Sequence, residues 1–320
     1  MISTDISKAA ALLKENEVIG LPTETVYGLA GNIFSETAIR KIFSVKKRPF
    51  YNPLIVHISG IEKLDQVALH VPELAILLAK KFWPGPLTLL LQKHSDVPDL
   101  ITAGKETVAV RVPDHPMALA LLKSISFPLA APSANPFGSI SPTTAKHVHD
   151  YFGEEIPLVL DGGSSKKGVE STIIGFVNGS AVLFRHGAVP IEEIEKITGK
   201  LIINNHEENS PDAPGMLSKH YSPRTPAIVT NDIQAALKNY AGKKIALVLF
   251  DRKRNDHAPA FQWILSPQSS LDEAASNLYS LMHEIDDLKA DLIIFEKMKE
   301  EGLGITINDR LERASIESLT

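Results

Sequence analysis

Residues 20–57 read GLPTETVYGLAGNIFSETAIRKIFSVKKRPFYNPLIVH, and the interpretation of the whole chain depends on this stretch. A polar, turn-rich loop comes first, followed by an amphipathic helical pattern over residues 35–45. The cationic triplet KKR, residues 46–48, falls where this pattern ends. Pro49 and Pro53 then restrict the backbone to extended or turning conformations before a hydrophobic run begins. The stretch therefore holds positive charge on a constrained turn.

Two interpretations of the triplet follow from these residues alone. Lysine and arginine at the end of a helix complement the helix dipole and are commonly solvated there. Cations on a constrained turn can instead line a pocket that attracts an anionic ligand. The rest of the sequence has to decide between a solvated helix end and a binding site.

The composition is that of an ordinary globular protein. The chain has 320 residues, more than a single hydrophobic core usually supports, which predicts two domains; its hydrophobic and charged contents are 44% and 22%. A formal net charge of −5 argues against a broad surface for duplex nucleic acid, because phosphate contacts require a basic excess. The absence of cysteine excludes disulfides and thiolate chemistry, and fits a cytoplasmic protein. We expect neither a signal peptide nor a membrane span.

Apolar periodicity predicts an N-terminal α/β domain over residues 1–203. Its short strands and helices mix without strict alternation, which favours a twisted, mixed sheet with flanking helices. The predicted strands cover residues 18–21, 54–58, 88–91, 108–112, 129–131, 158–160, 172–177 and 181–184. The predicted helices cover residues 6–13, 35–45, 72–82, 116–123, 144–151 and 191–198.

Beyond residue 203 the character of the sequence changes. Residues 204–226 are polar and contain four prolines, which predicts a linker, and their central string PGMLSKHYSPR has the content of an active-site lid. Regular β-α-β-α-β-α alternation follows over residues 227–320. This pattern predicts a small, Rossmann-like parallel α/β domain.

The familiar catalytic motifs are absent from the sequence. There is no G-x-x-x-x-G-K-[ST] phosphate loop, no G-x-G-x-x-G after a strand, no H-E-x-x-H zinc motif and no G-x-S-x-G elbow. Polar residues instead accompany the apolar strands: Arg111 lies within VAVRV, Ser133 and Asn135 follow LAAP, and Arg185 follows AVLF. Each of them alone also fits an exposed strand position or an ordinary turn. Together they fit α/β proteins, in which strand ends commonly converge on a ligand.

Seven strings of the chain, taken in order, resemble the YrdC-like family of threonylcarbamoyl-AMP synthases in its long form with an additional C-terminal domain. They are LPTETVYGLAGN, VKKRPFYNPLIVHI, FWPGPLT, VAVRVPDHP, APSANPFGSISPT, GVESTII and PGMLSKHYSPR. The resemblance implies an enzyme that makes L-threonylcarbamoyl-AMP from L-threonine, bicarbonate or CO2, and ATP, with release of pyrophosphate. It also implies that the product is passed to downstream threonylcarbamoyl-transferase proteins for modification of tRNA beside the anticodon.

The same resemblance implies roles for individual residues. The catalytic set would be Lys46, Arg48, Ser133 and Asn135. ATP would contact Arg48, Asn52, Thr107, Ser133, Ser141, Arg185 and Tyr221. L-threonine would contact Thr25, His57, Arg111, the main chain at Ala131, and Ser171. Mg²⁺ would be held mainly by ATP phosphates and water, without a dedicated protein site.

Two other functions remain open from the residues. A concave cationic surface could hold RNA phosphates, although aromatic residues for base stacking are scarce at 6%. An ATP-dependent carbamoyl transferase would use similar phosphate chemistry on carbamoyl phosphate. The chain also departs from the family pattern after Arg185, where His186-Gly187 stands in place of Pro-Gly. If Lys46 and Arg48 line a surface cleft, replacing either with alanine should abolish turnover and leave the fold intact.

Overall fold

The computed structural model describes residues 1–204, 220–255 and 261–315, together with the backbone of residues 317–319. The chain divides into two compact units. The second unit contains the C-terminal part of the chain, from Ser218, and two short segments from earlier in the sequence, Gly138–Ile140 and Lys167–Val169. The predicted linker, residues 204–226, falls largely on residues 205–219, which lie outside the described part.

The first unit contains eleven strands and seven α-helices within its described residues. The strands are β1 Ile2–Ser3, β2 Ile19–Leu21, β3 Gly28–Asn32, β4 Ile55–His57, β5 Leu87–Gln92, β6 Thr107–Arg111, β7 Leu129–Ala130, β8 Leu158–Leu160, β9 Thr172–Val177, β10 Ser180–Arg185 and β11 Ile202–Ile203. The helices are α1 Ile6–Lys14, α2 Glu36–Lys46, α3 Glu73–Phe82, α4 Asp99–Thr102, α5 Pro116–Ser124, α6 Ala145–Phe152 and α7 Ile191–Thr198. Two 3₁₀ turns lie at Ile61–Gln66 and Gly153–Glu155.

These strands form one mixed sheet in the order β1-β8-β2-β3-β7-β4-β6-β5-β9-β10-β11. Parallel pairs, such as β4 with β6, occur together with antiparallel pairs, such as β2 with β3 and β5 with β6. The prediction of a twisted, mixed sheet with flanking helices is confirmed. The core is apolar on both sides of the sheet, because α2 and α3 pack on one set of strand residues and α1 and α5 on another.

Strand β3 was missed by the sequence prediction. Its sequence, GLAGN, contains two glycines and an asparagine, which are depleted in strands. Tertiary context overrides this preference, because a Cβ at Gly28 would come within 3.0 Å of the Ala131 Cβ and one at Gly31 within 3.1 Å of Ile42. The small residues therefore allow neighbouring elements to approach the strand closely. The six-residue loop 22–27, which joins β2 to β3, becomes the first wall of the site.

The second unit contains a separate, fully parallel sheet. Its strands are β12 Ala227–Thr230, β13 Ile245–Leu249, β14 Phe261–Ile264, β15 Leu292–Glu296 and β16 Glu317–Leu319, in the order β14-β13-β15-β12-β16. Its helices are α8 Ile233–Asn239, α9 Leu271–Asp287 and α10 Leu303–Ala314. The prediction of a small parallel α/β domain is confirmed. The predicted strict alternation is wrong, because β14 is an additional edge strand with mixed polar and apolar residues.

Within the described residues, no helix is both long and apolar enough to cross a membrane.

Candidate active site

The end of α2 separates the three cations of the KKR triplet. The Arg48 N–H donates to the Phe43 carbonyl, and Lys47 adopts a left-handed conformation with φ of 53°. This is the geometry of a helix C-cap, which turns the chain sharply. Lys46 and Arg48 are buried as a result, whereas Lys47 is exposed. The interpretation as a solvated helix end therefore holds for Lys47 alone.

Lys46 and Arg48 hold the backbone around one end of the sheet. The Lys46 ammonium donates to the carbonyls of Ser133 and Asn135. The Arg48 guanidinium donates to the Asn52 side-chain oxygen at 2.6 Å and to the Pro53 carbonyl at 2.8 Å. Burial lowers the pKa of Lys46 well below its usual range, and the Arg48 charge lowers it further. An anion bound beside these groups would favour the charged form of Lys46.

Other residues predicted to contact ATP lie at this same end of the sheet. Asn52 is fully buried, and its Nδ2 has no hydrogen-bond partner among the described residues. Ser133 is half-buried and forms a bridge with Gly28 at the start of β3. When the β4–β6 register is continued back by two residues, Thr107 is level with Pro53. The structure thus gathers most of the predicted phosphate-binding residues at the beginning of β4 and β6.

Arg111, at the opposite end of β6, is held from three sides. Its Nε donates to the Gly85 carbonyl at 3.2 Å, and its Nη1 donates to the Thr25 hydroxyl at 2.9 Å. Its Nη2 lies 2.5 Å from the Glu24 Oε1, and both of these side chains are only 4% exposed. A guanidinium has five N–H donors, so this arrangement fixes the group and still leaves donors for a carboxylate ligand.

His57 lies beside Arg111 on the neighbouring strand, since the β4–β6 register pairs the two residues directly. The imidazole is buried, and its Nδ1 has no hydrogen-bond partner in the described part of the chain. Burial lowers the pKa of His57 to about 3, with a further contribution from the Arg111 charge. His57 is therefore neutral at pH 7 and can offer one donor and one acceptor to a ligand.

Ser171 connects Arg185 to the residues around Arg111. The Arg185 Nη2 donates to the Ser171 carbonyl at 2.8 Å and to its hydroxyl at 3.1 Å. The Ser171 hydroxyl is also 2.7 Å from the Thr88 hydroxyl. Since the β5–β6 register pairs Leu89 with Val110, its continuation puts Thr88 level with Arg111. A row of polar side chains therefore crosses β4, β6 and β5 and ends at the start of β9.

Two further predicted residues flank this row. The Ala131 N–H donates to the Ile55 carbonyl at 3.0 Å, which places the Ala131 main chain beside β4. The Ser141 hydroxyl is fully buried and donates to the Glu170 carboxylate at 2.7 Å. Ser141 therefore lies next to the loop that carries Ser171.

Buried cations outnumber buried carboxylates in the described part of the first unit. The buried carboxylates are Glu24 and Glu170, and the buried cations are Lys46, Arg48, Arg111 and Arg185. A charge taken out of water requires an opposite charge or strong hydrogen bonds to offset its desolvation. The site is therefore suited to anionic ligands, although the chain as a whole carries a net charge of −5.

Comparison with known proteins decides the family. A family model named Sua5_yciO_yrdC, described as telomere recombination, matches residues 11–187. The chain belongs to this Sua5/YciO/YrdC family. A second model, described as the C-terminal domain of threonylcarbamoyl-AMP synthase, matches residues 189–315. The chain is therefore of the two-domain Sua5 form, as the sequence strings predicted.

Full-length relatives of this Sua5 chain carry the same name. A threonylcarbamoyl-AMP synthase from Pyrococcus abyssi is 39% identical, covering 96% of this chain and 93% of the relative. One from Bacillus subtilis is 40% identical, covering 97% and 92%. The crystal structure of P. abyssi Sua5 complexed with L-threonine superimposes with a TM-score of 0.90 at 39% identity, covering 98% of this chain and 96% of that one.

Tyr221 of this Sua5 chain belongs to the second unit. The ring is 1% exposed and stacks on Tyr279 with a centroid separation of 5.6 Å. The Arg310 guanidinium lies 5.0 Å from its centroid. The predicted contact of Tyr221 with ATP stays a prediction. Most of the predicted lid string, at residues 214–219, lies outside the described part of the chain.

After Arg185 the chain departs from the family pattern at His186 but keeps Gly187, which the packing requires. A Cβ at Gly187 would lie 2.3 Å from the backbone of Ser171 and Thr172, so only glycine fits there. The Ala188 N–H then donates to the Glu170 carbonyl at 2.9 Å. Gly187 therefore brings the chain after Arg185 against the loop that carries Ser171, with His186 in place of the usual proline.

Sequence reasoning missed two polar residues of the candidate site, Glu24 and Thr88. Glu24 stands between two threonines in the string TET. The available signal for a site residue was its charge, in a segment that precedes a strand. Thr88 is the first polar residue of the otherwise apolar string LTLLL and is fully buried. A lone hydroxyl in a buried strand needs a partner, which here is Ser171.

Replacing His57 with glutamine is expected to reduce the acid sensitivity of this Sua5 chain. Folded His57 has a pKa of about 3, whereas the unfolded chain takes up a proton near pH 6.5. Neutral, buried His57 therefore stabilises the folded state fully above about pH 6.5. As the pH falls towards 3, the free energy of unfolding decreases by up to about 1.4 kcal/mol per pH unit. Urea unfolding should show that the free energy of unfolding falls between pH 7 and pH 5 by about 2 kcal/mol less in His57→Gln than in the wild type. An identical loss in both proteins would contradict the assignment.

Proposed function

We propose that this chain synthesises L-threonylcarbamoyl-AMP from L-threonine, bicarbonate or CO2, and ATP, with release of pyrophosphate. The observation that carries the proposal is the pairing of two polar groups across one short strand. His57 and Arg111 lie at one end of β4, and Arg48, Asn52 and Pro53 lie at the other. Pro53 and His57 are four positions apart, which in extended chain corresponds to about 13 Å. This spacing suits an amino acid at one end and a triphosphate at the other.

The threonine subsite would be formed by Arg111 and its neighbours. A guanidinium can hold a carboxylate through two parallel hydrogen bonds, and the Arg111 group is already oriented by Thr25 and Gly85. The unpartnered Nδ1 of neutral His57 can bond to the threonine hydroxyl or carboxylate. The Ser171 hydroxyl and the Ala131 main chain would complete the subsite. The crystal structure of P. abyssi Sua5 complexed with L-threonine supports L-threonine as the ligand.

The ATP subsite would be formed by Lys46, Arg48, Asn52, Ser133 and Asn135. Threonine captured as a carbamate carries its own nucleophilic oxygen, which attacks the α-phosphorus while pyrophosphate departs in line. No covalent enzyme intermediate is needed, so the protein has to align the reactants and stabilise the charge that develops on the leaving group. Fixed, buried cations are suited to that task because they need no reorganisation. Thr107, Ser141 and Arg185 would contact other parts of the nucleotide.

Mg²⁺ would enter with ATP. The described residues include no group of three His, Asp or Glu side chains that could hold a metal ion. The phosphate subsite instead offers amide and hydroxyl oxygens beside cations, which fits a Mg²⁺ ion ligated by phosphate oxygens and water. The ion would neutralise charge on the triphosphate, and Lys46 and Arg48 would orient the triphosphate. We place the activity in the cytoplasm, upstream of threonylcarbamoyl-transferase proteins that modify tRNA.

An omission assay tests the proposal. The purified chain is incubated with ATP, L-threonine, bicarbonate and Mg²⁺, and pyrophosphate and the adenylate are quantified by a coupled assay and mass spectrometry. Both products are expected in equal amounts only in the complete mixture. Pyrophosphate release that continues without threonine or bicarbonate would contradict the proposal. Carbamoyl phosphate is added in place of bicarbonate as a further arm, and turnover that requires it would indicate a carbamoyl transferase.

A further inference from the structure

Glu24 is a buried carboxylate that the proposed reaction has not used. Its Oε1 lies 2.5 Å from the Arg111 Nη2, and the side chain is 4% exposed. Neither carboxylate oxygen has a hydrogen bond of normal geometry among the described residues. An ionised carboxylate can accept about four hydrogen bonds, and burial without them carries a large desolvation cost. Glu24 therefore has unused acceptor capacity next to the residue that would hold the threonine carboxylate.

The missing partner has to be a hydrogen-bond donor, and a cation would satisfy Glu24 best. The triphosphate of ATP offers only acceptors and negative charge, so Glu24 would repel it. Free L-threonine offers three ammonium N–H groups and one hydroxyl. Thr25, which directly follows Glu24 in the chain, already contacts Arg111. Glu24 and Thr25 therefore both lie against the guanidinium that would hold the threonine carboxylate.

We propose that the Glu24 carboxylate binds the ammonium group of L-threonine and makes the site selective for α-amino acids over other carboxylates. The proposal rests on the proposed function of this site. Arg111 and Glu24 together present one positive and one negative group in contact. These charges are complementary to the carboxylate and the ammonium of a zwitterionic amino acid. Without Glu24, Arg111 alone would accept any small carboxylate. The acidic group also keeps the phosphates away from the threonine subsite.

Calorimetric titration of three ligands tests this assignment. The ligands are L-threonine, L-2-aminobutyrate, which lacks the hydroxyl, and 2,3-dihydroxybutanoate, which has a hydroxyl in place of the ammonium. In Glu24→Gln, which preserves the shape of the side chain, the affinity for both amino acids is expected to fall about tenfold or more. The affinity for 2,3-dihydroxybutanoate should change by less than about threefold, because a neutral hydroxyl loses little when the charge is removed.

Three outcomes would overturn the proposal. An equal loss for all three ligands would mean that Glu24 acts only by orienting Arg111. A loss confined to the two ligands that carry the β-hydroxyl would assign Glu24 to that group instead. Failure of the wild-type protein to bind L-threonine at all would overturn both this proposal and the proposed function. Thermal unfolding is recorded for each protein, and Glu24→Asp, which keeps the charge, should retain the preference for amino acids even if Glu24→Gln does not fold.

Discussion

Replacing Lys46 with methionine is expected to reduce pyrophosphate release by at least about a hundredfold, because a fixed donor in a water-excluded site contributes far more than one in solvent. Lys46 is 1% exposed and donates to the carbonyls of Ser133 and Asn135. Methionine keeps most of the volume and removes the ammonium. The matched control is Lys47→Met, which removes the same charge from the adjacent, exposed position. Lys47→Met should retain at least half of the wild-type rate.

The stability of these variants will differ from the sequence-based expectation. Lys46 and Arg48 are buried and do not line a surface cleft, so we now expect their alanine variants to lose stability. Lys46→Ala leaves the buried Asn135 carbonyl and the half-buried Ser133 carbonyl without their donor, and a buried group left unsatisfied costs about 1–3 kcal/mol. Urea unfolding should detect this loss in Lys46→Ala and only a minor change in Lys47→Met. Unchanged stability in Lys46→Ala, or full activity in Lys46→Met, would contradict the assigned contacts.

Replacing Arg111 with glutamine is expected to raise the KM for L-threonine by about tenfold to a hundredfold, with little change in the KM for ATP. The same change leaves Glu24 as an unpaired buried charge, since the two side chains form an ion pair. Loss of one partner of a buried pair typically costs about 3–5 kcal/mol of stability. Steady-state kinetics and urea unfolding measure the two effects separately.

The double variant Glu24→Gln/Arg111→Gln separates the ion pair from the substrate contact. Removing both charges should restore much of the stability lost in Arg111→Gln, because neither side chain is then ionised in the interior. The affinity for L-threonine should remain low, because the Arg111 guanidinium that would bind the threonine carboxylate is still absent. A double variant that recovers threonine binding would mean that Arg111 acts through protein stability and not through the substrate.

Much of the fold could be predicted from local patterns. The strand at residues 158–160 and the helix at residues 191–198 were predicted to the residue, because an apolar run between turn signals and a 3.6-residue period leave few alternatives. Strand β14 was missed because residues 261–264 have mixed polarity at a sheet edge. Strand β3 was missed because its glycines serve close packing between distant segments. Such pairings depend on neighbours that a local window does not contain.

The site could be predicted only in part, and the reason is again distance along the chain. The motif strings grouped Lys46, Arg48, Arg111 and Ser171 as candidate site residues. They did not reveal that the KKR triplet divides at a left-handed Lys47, which decides that Lys46 and Arg48 point inward. They also did not reveal the Glu24–Arg111 pair, because an acidic residue in a turn is more often solvated. Three-dimensional contacts were needed for both.

The separation of the site's partners along the chain has a consequence for folding. Thr25 and Arg111 are 86 residues apart, Lys46 and Ser133 are 87 apart, and Thr88 and Ser171 are 83 apart. Chains dominated by such non-local pairings fold slowly, because loop closure precedes the contacts that reward it. During synthesis, a nascent chain cannot complete the proposed threonine subsite before Ser171 has left the ribosome. L-threonine should therefore protect the finished first unit from unfolding without accelerating the early steps of its folding.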